Sequence, residues 1–316
     1  MCPILSAVTG DARIGIAVSG GPDSLALLLL AAAERPGQVR AATVDHGLRA
    51  EAAAEAAAVG AVCARLGVAH DVLQVRVAGS VQAGARDARY QALAGWAADH
   101  GLSHVATAHH ADDQAETLVM RLARGAGLAG LAGIRRERPL APGITLIRPV
   151  LDWRRAELRA VVDAAGIMPA ADPSNDDPRF DRTHARRLMA AVPWLDPARL
   201  AHSAAILAEA EAALDWAAAR LADERIAGDT LDPRGLPPEL VRRLVLRLLA
   251  AFGIVPDGPR LARLIARLDA GRTATIGTVK ALPGPVWRFM PAPPRRPGGK
   301  APPDGRATAP PPAIVT

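Results

Sequence analysis

The sequence predicts an α/β fold, a doubly wound and mostly parallel sheet, with a smaller helical C-terminal domain. Short apolar runs predict five strands, at 13–18, 41–44, 71–77, 104–108 and 145–147. Stretches rich in Ala, Leu and Arg predict helices between the first four, at 24–33, 51–66 and 83–100. This alternation is typical of parallel sheets with helices on both faces. Ligands bind at the carboxyl ends of the strands in such sheets, so the polar residues after each strand are the candidate site residues.

The pattern changes near residue 195, where prolines precede a long Ala-rich stretch. We therefore expect a catalytic domain over residues 1–195 and a helical C-terminal domain over 196–290. The remaining residues, 291–316, are dominated by Pro, Gly and Ala, which predicts a disordered tail.

Charge is distributed unevenly along the 316 residues. The net charge is +6, made up of −4 over residues 1–116 and +10 over 117–316. A basic second half indicates a polyanionic substrate. Only 3% of the residues are aromatic, so stacking of bases on aromatic side chains is not expected to be the main mode of nucleic-acid recognition.

The chain has two cysteines, Cys2 and Cys63, which cannot form a disulfide framework or a Cys-x-x-Cys motif. This usage is typical of the cytoplasm, and it excludes sulfur transfer that depends on paired cysteines. The longest apolar stretch, 25–33, is too short to span a bilayer. We therefore predict a cytoplasmic protein with no membrane partner.

The loop between the first strand and the first helix has the sequence SGGPDS. Unpaired backbone N–H groups and the positive end of the helix meet there, which predicts an anion site. The Gly-Lys-Ser/Thr ending of a Walker loop is missing, which favours pyrophosphate as the anion. The motif resembles the PP-loop of ATP pyrophosphatases, which transfer AMP. Its candidate ATP-binding residues are Ser19, Gly20, Gly21, Pro22, Asp23 and Ser24.

Asp45 and His46 follow the second predicted strand and fall on the same sheet edge as the loop. A polar residue at this position can bind the adenosine part of a nucleotide. Both residues are therefore candidate ATP contacts, and a strand-capping Asp beside a solvated His is the alternative.

The densest polar cluster, AHHADDQAET at 108–117, follows the fourth strand and opens a helix. Asp112 and Glu116 share one helix face because they are four residues apart, and Asp113 lies on the neighbouring face. Asp23, Asp112 and Asp113 are candidate ligands for Mg²⁺, which prefers carboxylate and phosphate oxygens. Helix capping alone could account for one of these acids. No thiol partner or His-Glu-x-x-His spacing accompanies the two histidines, so zinc is not expected.

Two groups of arginines follow. Arg121 and Arg124 lie near the end of the same helix, and Arg179, Arg182, Arg186 and Arg187 follow a predicted turn, DPSN, at 172–175. These cations could neutralise phosphates of RNA or of the leaving pyrophosphate. A solvated helix face is the alternative for any one of them.

The motifs SGGPDS, DHGLR, ARDARY (85–90), AHHADDQAET, RPVL (148–151) and DPSN occur in the order found in tRNA(Ile)-lysidine synthetases. The chain resembles this family over residues 13–190. The resemblance implies that ATP and Mg²⁺ are used to adenylate O2 of the wobble cytidine in the CAU-anticodon tRNA(Ile). The ε-amine of free L-lysine then displaces AMP. Two positions depart from the family pattern: Gly84 stands where the family commonly has an acidic residue, and Thr183 stands where it usually has an Asn.

The resemblance also implies roles for individual residues. The lysine substrate needs a carboxylate, and Asp112, Asp113 and Glu116 stay open as candidates. Apart from the resemblance, the basic charge of the second half assigns tRNA binding to Arg182, Arg186 and Arg187 and to the domain at 196–290, and a homodimer is left open. The candidate catalytic residues are Asp23, His109, Asp112, Asp113, Glu116 and Arg124.

Two alternatives stand beside this hypothesis. One is another AMP-forming PP-loop enzyme that modifies tRNA, such as a tRNA thiolase, which the missing cysteine pair opposes. The other is a catalytically idle tRNA-binding protein, which the intact loop and acidic cluster oppose.

Overall fold

The computed structural model describes residues 4–6, 8, 10, 12–45, 47, 52–75, 81–170 and 181–293. The chain divides into two compact units, residues 1–212 and 213–316. The division falls inside the helix Pro197–Arg225, whereas the sequence-based boundary near 195 falls just before that helix begins. Within the described residues, no helix combines the length and the apolar character needed to cross a membrane.

The first unit contains six strands and seven complete helices among its described residues. The strands are β1 (Ile14–Ala17), β2 (Val39–Asp45), β3 (Ala69–Gln74), β4 (His104–Ala106), β5 (Glu137–Ala141) and β6 (Ile144–Ile147). The helices are α1 (Pro22–Glu34), α2 (Ala52–Arg65), α3 (Val81–Asp99), α4 (Ala111–Ala123), α5 (Leu128–Leu131), α6 (Arg155–Ala164) and α7 (Asp181–Ala191), and α8 (Pro197–Arg225) follows them.

The six strands form one sheet in the order β3-β2-β1-β4-β6-β5. Neighbouring strands run parallel from β3 through to β6, and only β5 pairs with β6 in the antiparallel direction. The predicted mostly parallel sheet is confirmed, and β5 is an edge strand that the sequence did not predict. The chain builds outward from β1 to β3 and then returns to the other side of β1 with β4. The carboxyl ends of β1 and β4 therefore flank the crevice where this class of sheet binds ligands.

Helices cover both faces of the sheet, because alternate residues of each strand point to opposite sides. On one face, Leu27 and Leu28 of α1 are fully buried together with Leu158 of α6. On the other face, α3 packs through Leu93 and Trp96. A Cβ at position 15 of β1 would collide with the Trp96 ring, so glycine is required for this close approach.

The second unit combines helices with a small sheet. Its elements after α8 are β7 (Ile226–Ala227), β8 (Thr230–Leu231), α9 (Pro238–Ala251), α10 (Gly258–Asp269), β9 (Ala274–Ile276), β10 (Val279–Leu282) and β11 (Trp287–Pro291). The strands pair only antiparallel, in the order β7-β8-β11-β10-β9.

The helical character of the second unit agrees with the prediction, and its sheet is an addition to it. Each of these strands has only two to five residues, which is too short for an alternating pattern to stand out in the sequence. Leu244, Leu249 and Phe289 are fully buried in the core between the helices and the sheet. Most of the predicted tail, 294–316, lies outside the described residues.

Candidate active site

The side chain of Ser24 holds the loop between β1 and α1. Its Oγ accepts a hydrogen bond from the backbone N–H of Ser19 at 3.1 Å and donates one to the carbonyl of Gly21 at 3.0 Å. The Oγ atoms of Ser19 and Ser24 lie 3.2 Å apart. Gly20 has a φ of +84°, a left-handed conformation that favours glycine. The loop is therefore shaped by its own residues.

The first turn of α1 presents backbone N–H groups at the end of this loop. Gly21 is the N-cap residue and has no side chain to cap the helix, and Pro22 occupies the first helical position. Because the first N–H groups of a helix have no partner within it, they and the helix dipole attract an anion. The loop thus has the geometry expected of an anion site.

His110 connects this loop to α4. The residue is the N-cap of α4 and only 1% exposed. Its Nδ1 accepts a hydrogen bond from the backbone N–H of Asp113 at 3.4 Å, and Oδ2 of Asp113 accepts one from the backbone N–H of His110 at 3.1 Å. Its Nε2 lies 3.4 Å from Oδ2 of Asp23. The imidazole therefore ties together two carboxylates from different elements.

The environment of His110 raises its pKa, and because Nδ1 accepts a hydrogen bond, the ring proton lies on Nε2, which faces Asp23. Burial opposes protonation, but the hydrogen bond to Asp23 and the negative charges of Asp113 and Asp23 outweigh it and raise the pKa of His110. One oxygen of Asp23, Oδ1, is buried and has no hydrogen-bond partner within the described part of the chain.

The other two acids of α4 are bound by arginines. Asp112 accepts a hydrogen bond from the backbone N–H of Arg155 at 2.8 Å, and its Oδ2 lies 3.3 Å from Nε of Arg154. Burial raises the pKa of Asp112, but these hydrogen bonds outweigh it and the pKa is lowered. Glu116 is 1% exposed, and its Oε1 accepts a hydrogen bond from Arg186 at 2.5 Å and lies 3.5 Å from Arg155.

A cavity of about 710 Å³ opens where these elements meet. It is lined by the β1–α1 loop, the end of β2, α3, the segment after β4, the first turns of α4 and α6, and the first two turns of α7. The predicted site residues that line it are Ser19, Gly21, Pro22, Asp23, Ser24, His109, Asp113, Arg182 and Arg186. The structure therefore brings together the motifs that follow β1 and β4 with the arginines of α7.

The sequence is similar to known proteins over most of its length. A family described as a PP-loop domain matches residues 4–192. The tRNA(Ile)-lysidine synthase of Novosphingobium aromaticivorans is 51% identical over 304 residues, which cover 92% of this chain and 92% of that protein. The tRNA(Ile)-lysidine synthase of Zymomonas mobilis subsp. mobilis is 44% identical over 297 residues, covering 90% of each. The chain belongs to the tRNA(Ile)-lysidine synthase family.

Family membership places the chain among the ATP-using enzymes of the PP-loop superfamily. A solved structure with a similar fold is the U34-tRNA thiolase NcsA from Methanococcus maripaludis with its [4Fe-4S] cluster. The two share a TM-score of 0.52 at 16% identity, over 64% of this chain and 72% of that one. At this identity the likeness supports the fold alone.

Several predicted residues do not line the cavity. Arg124 is the C-cap of α4, is 62% exposed and forms an ion pair with the first residue of α7. Arg187 is exposed on α7. Asp45 ends β2 and accepts a hydrogen bond at 2.8 Å from the backbone N–H two residues later, as in an Asx turn. His46 and the DPSN turn at 172–175 lie outside the described residues.

Three predicted residues support the cavity without lining it. Gly20 lies in the β1–α1 loop with a left-handed backbone conformation. Asp112 forms an ion pair with Arg154, and Glu116 forms one with Arg186, so each acid holds an arginine in place without facing the cavity itself. Among the described acids of α4, Asp113 is the one that faces the cavity, where its Oδ1 lies 3.6 Å from Arg182.

His109 lines the cavity as a neutral imidazole. Its Nδ1 lies 3.0 Å from the Oγ1 of Thr107. Burial is the main cause that lowers the pKa of His109 to about 4; Asp113 opposes the shift, and the charge of Arg148 acts in the same direction as burial. At neutral pH the ring therefore has one nitrogen paired with Thr107 and a second that can hydrogen-bond a substrate.

Sequence reasoning assigned no site role to four residues that line the cavity, namely Arg86, Arg89, Tyr90 and Arg155. The first three belong to the ARDARY motif. Arg89 and Tyr90 follow Arg86 by three and four residues, which places both on the same side of α3 as Arg86. That spacing was visible in the sequence. Arg155 is brought in by the packing of α6, for which a local pattern gives no signal.

Proposed function

We propose that this enzyme uses ATP to adenylate the wobble cytidine of the CAU-anticodon tRNA(Ile), and then joins the ε-amine of lysine to that cytidine. The products are lysidine-containing tRNA, AMP and pyrophosphate. The observation that carries this proposal is the 51% identity to a tRNA(Ile)-lysidine synthase over 92% of both chains. A cavity that combines an anion loop, acids and arginines supports it.

The β1–α1 loop and α1 suit the first step. Oxygen O2 of the cytidine attacks the α-phosphorus of ATP, and the bond to pyrophosphate breaks. The N–H groups at Gly21 and the first turn of α1 would hold the leaving pyrophosphate, and Arg182 and Arg186 would offset the charge that develops. His109, which is neutral, would position the reacting groups by a hydrogen bond.

The chain's acids fit Mg²⁺, which this family of ATP enzymes implies. Asp23 has a buried oxygen without a partner in the described part of the chain, and Asp113 faces the same cavity. Carboxylate and phosphate oxygens are the ligands that Mg²⁺ prefers. Asp112 is bound by Arg154 and Arg155 and is the less favoured of the three predicted ligands. The described residues contain no set of three acids, histidines or cysteines grouped to hold a metal unaided, so the phosphates of ATP would complete the site. When bound, Mg²⁺ would neutralise phosphate charge.

The lysine substrate needs a carboxylate partner in the second step. Its ε-amine attacks C2 of the adenylated cytidine, AMP leaves, and the amine loses a proton. We assign to Asp113 and Glu116 the role of binding the positively charged lysine substrate through their carboxylates. Asp113 faces the cavity, and Oε2 of Glu116 is buried with no partner among the residues described. A buried oxygen of this kind is costly unless a donor reaches it.

The C-terminal unit would also contact the tRNA, because residues 258–293 carry six basic residues and one acidic residue, and basic side chains bind phosphates. The cysteine content supports a cytoplasmic location. A thiolase is the less favoured function, since Cys63 is buried and burial raises the pKa of its thiol to about 11. The thiolate needed for sulfur chemistry is scarce at neutral pH.

Mass spectrometry of tRNA(Ile) tests the proposal. The full chain is incubated with a CAU-anticodon transcript, ATP, Mg²⁺ and lysine, and the tRNA is digested to nucleosides. Lysine should be attached to the wobble cytidine, with AMP and pyrophosphate released, and omission of lysine or the Asp23→Asn change should prevent it. Release of ADP, a thiolated base, or tRNA binding without any product would contradict the proposal. Light scattering on the same sample distinguishes a monomer from a homodimer.

A further inference from the structure

Four arginines cluster around Tyr90, the one tyrosine of the chain, beside the cavity. We call Arg86, Arg89, Arg138 and Arg148 the α3 cation cluster. The guanidinium carbons of Arg138 and Arg86 lie 4.5 Å and 5.5 Å from the centre of the Tyr90 ring. Tyr90 also interacts favourably with Arg148, to which the tyrosine oxygen offers an acceptor.

The positive charge of this cluster is not balanced by the protein as described. Arg148 is 3% exposed, donates to the carbonyl of Arg135, and has a buried Nε without a partner among the described residues. Burial lowers the pKa of Arg148. In the described part of the chain, none of the four arginines has a carboxylate within ion-pair distance. A buried cation of this kind is costly unless an anion offsets it.

The arginines of α7 present the opposite case. Arg182 lies 3.6 Å from Asp113, and Arg186 is hydrogen-bonded to Glu116 at 2.5 Å. Their charges are thus largely used inside the site, although the sequence placed the RNA contact there. Arg86 and Arg89 line the same cavity, are exposed, and belong to the cluster with unbalanced charge. They are better placed to meet an incoming polyanion.

We propose that Arg86 and Arg89 bind a phosphodiester of the RNA strand next to the target nucleotide, with Tyr90 beside them in the cavity lining and the buried Arg148 adding positive charge. The inference rests on the proposed function, because it takes tRNA as the substrate. Phosphate oxygens could also come from ATP, but the β1–α1 loop and the N-terminus of α1 already form an anion site for that ligand. The cluster therefore supplies a second phosphate site, which reads the RNA backbone.

Removal of single charges on both partners tests this contact. The full tRNA(Ile) is prepared with one neutral methylphosphonate in place of the phosphodiester on the 5′ or the 3′ side of the wobble cytidine. Its affinity for wild type and for the Arg86→Gln/Arg89→Gln variant is measured by filter binding at several salt concentrations, without lysine. Arg65→Gln, an exposed arginine at the end of α2, is the matched control.

One of the two methylphosphonates should weaken binding to wild type by about tenfold, the value of one charge-assisted hydrogen bond. The double variant should bind unmodified tRNA about tenfold more weakly and should lose little more with that methylphosphonate. For this variant, the slope of the logarithm of tRNA affinity against the logarithm of salt concentration should become shallower by about 0.7 for each lost phosphate contact. Affinity for ATP should stay at the wild-type value, and Arg65→Gln should change neither ligand's binding.

Two outcomes would overturn the inference. Equal methylphosphonate effects in wild type and in the double variant would place the RNA contact elsewhere. A collapsed ATP affinity with an unchanged tRNA slope would assign the cluster to the triphosphate. Failure of the proposed function is separate, because it would show as absent lysine transfer by wild type, whereas this assay measures binding alone.

Discussion

Replacement of Ser24 by alanine should slow adenylation and should destabilise the fold by a comparable free energy. The hydroxyl makes three hydrogen-bond contacts within the β1–α1 loop, to Ser19 and Gly21. A net value of about 1 kcal/mol for a hydrogen bond, with water replacing part of the loss at the exposed Ser19, gives about 1–2 kcal/mol of lost stability. The N–H groups that we propose bind pyrophosphate lose their support, and charge-assisted hydrogen bonds contribute about 1.5–3 kcal/mol each. At about 1.4 kcal/mol per tenfold, adenylation should slow by about 10- to 100-fold.

Pyrophosphate release in the presence of tRNA(Ile) measures the adenylation step, and urea unfolding measures stability. Ser203→Ala, which removes an exposed hydroxyl on α8, is the matched control and should change neither value. Affinity for tRNA should be nearly unchanged in both variants. The reasoning is refuted if Ser24→Ala keeps the wild-type rate, or if its tRNA affinity falls in parallel with its rate.

Three further predictions follow from the site. Gly20→Ala should cost about 1–2 kcal/mol and reduce ATP affinity, because a left-handed φ penalises a side chain although the space for a Cβ is sufficient; Gly95→Ala in α3 should be tolerated in the same urea and ATP-binding assays. Glu116→Gln should raise the KM for lysine by about tenfold or more and leave pyrophosphate release intact. The control Glu209→Gln, at an exposed position, should change neither quantity. An equal loss of adenylation and of lysine transfer in Glu116→Gln would contradict the assignment. The pKa of His109 is about 4 in the fold and near 6.5 when unfolded, so the unfolded chain takes up the proton first. The free energy of unfolding should therefore fall by about 1–3 kcal/mol as the pH drops between these values, and His109→Gln should remove that part of the pH dependence in urea titrations.

The sequence predicted the sheet because each of its inner strands carries a strong local signal. Apolar runs such as 13–18 are buried on both faces, and a helix follows each of them, so the alternation fixes a parallel arrangement. The β5 edge strand gave no such signal, since its residues ERPLA are only partly buried. In the second unit, the strands are too short for an alternating pattern to stand out, and the pairing of β11 with the distant β8 is invisible to local patterns.

The site was predictable where a motif directly follows a strand. The SGGPDS loop and the 108–117 cluster lie at the carboxyl ends of β1 and β4, as expected from the topology. The division of labour among the acids was not predictable, because it depends on which arginine reaches which carboxylate. Arg154 and Arg155 approach Asp112 from a helix more than 40 residues away. That contact is established only by the tertiary structure, in which α6 packs against α1 and the start of α6 meets the start of α4.

The buried His110 limits how the two main loops of the site can vary in length. Its ring bridges the first turn of α1 and the first turn of α4, and its backbone closes the cap of α4. An insertion or deletion between positions 107 and 113 would rotate the start of α4 and withdraw the imidazole from Asp23. A change of length in the β1–α1 loop would move Asp23 instead, with the same result. Individual residues in the two segments can therefore be substituted during evolution, but the length of each segment must stay the same unless the other segment changes with it.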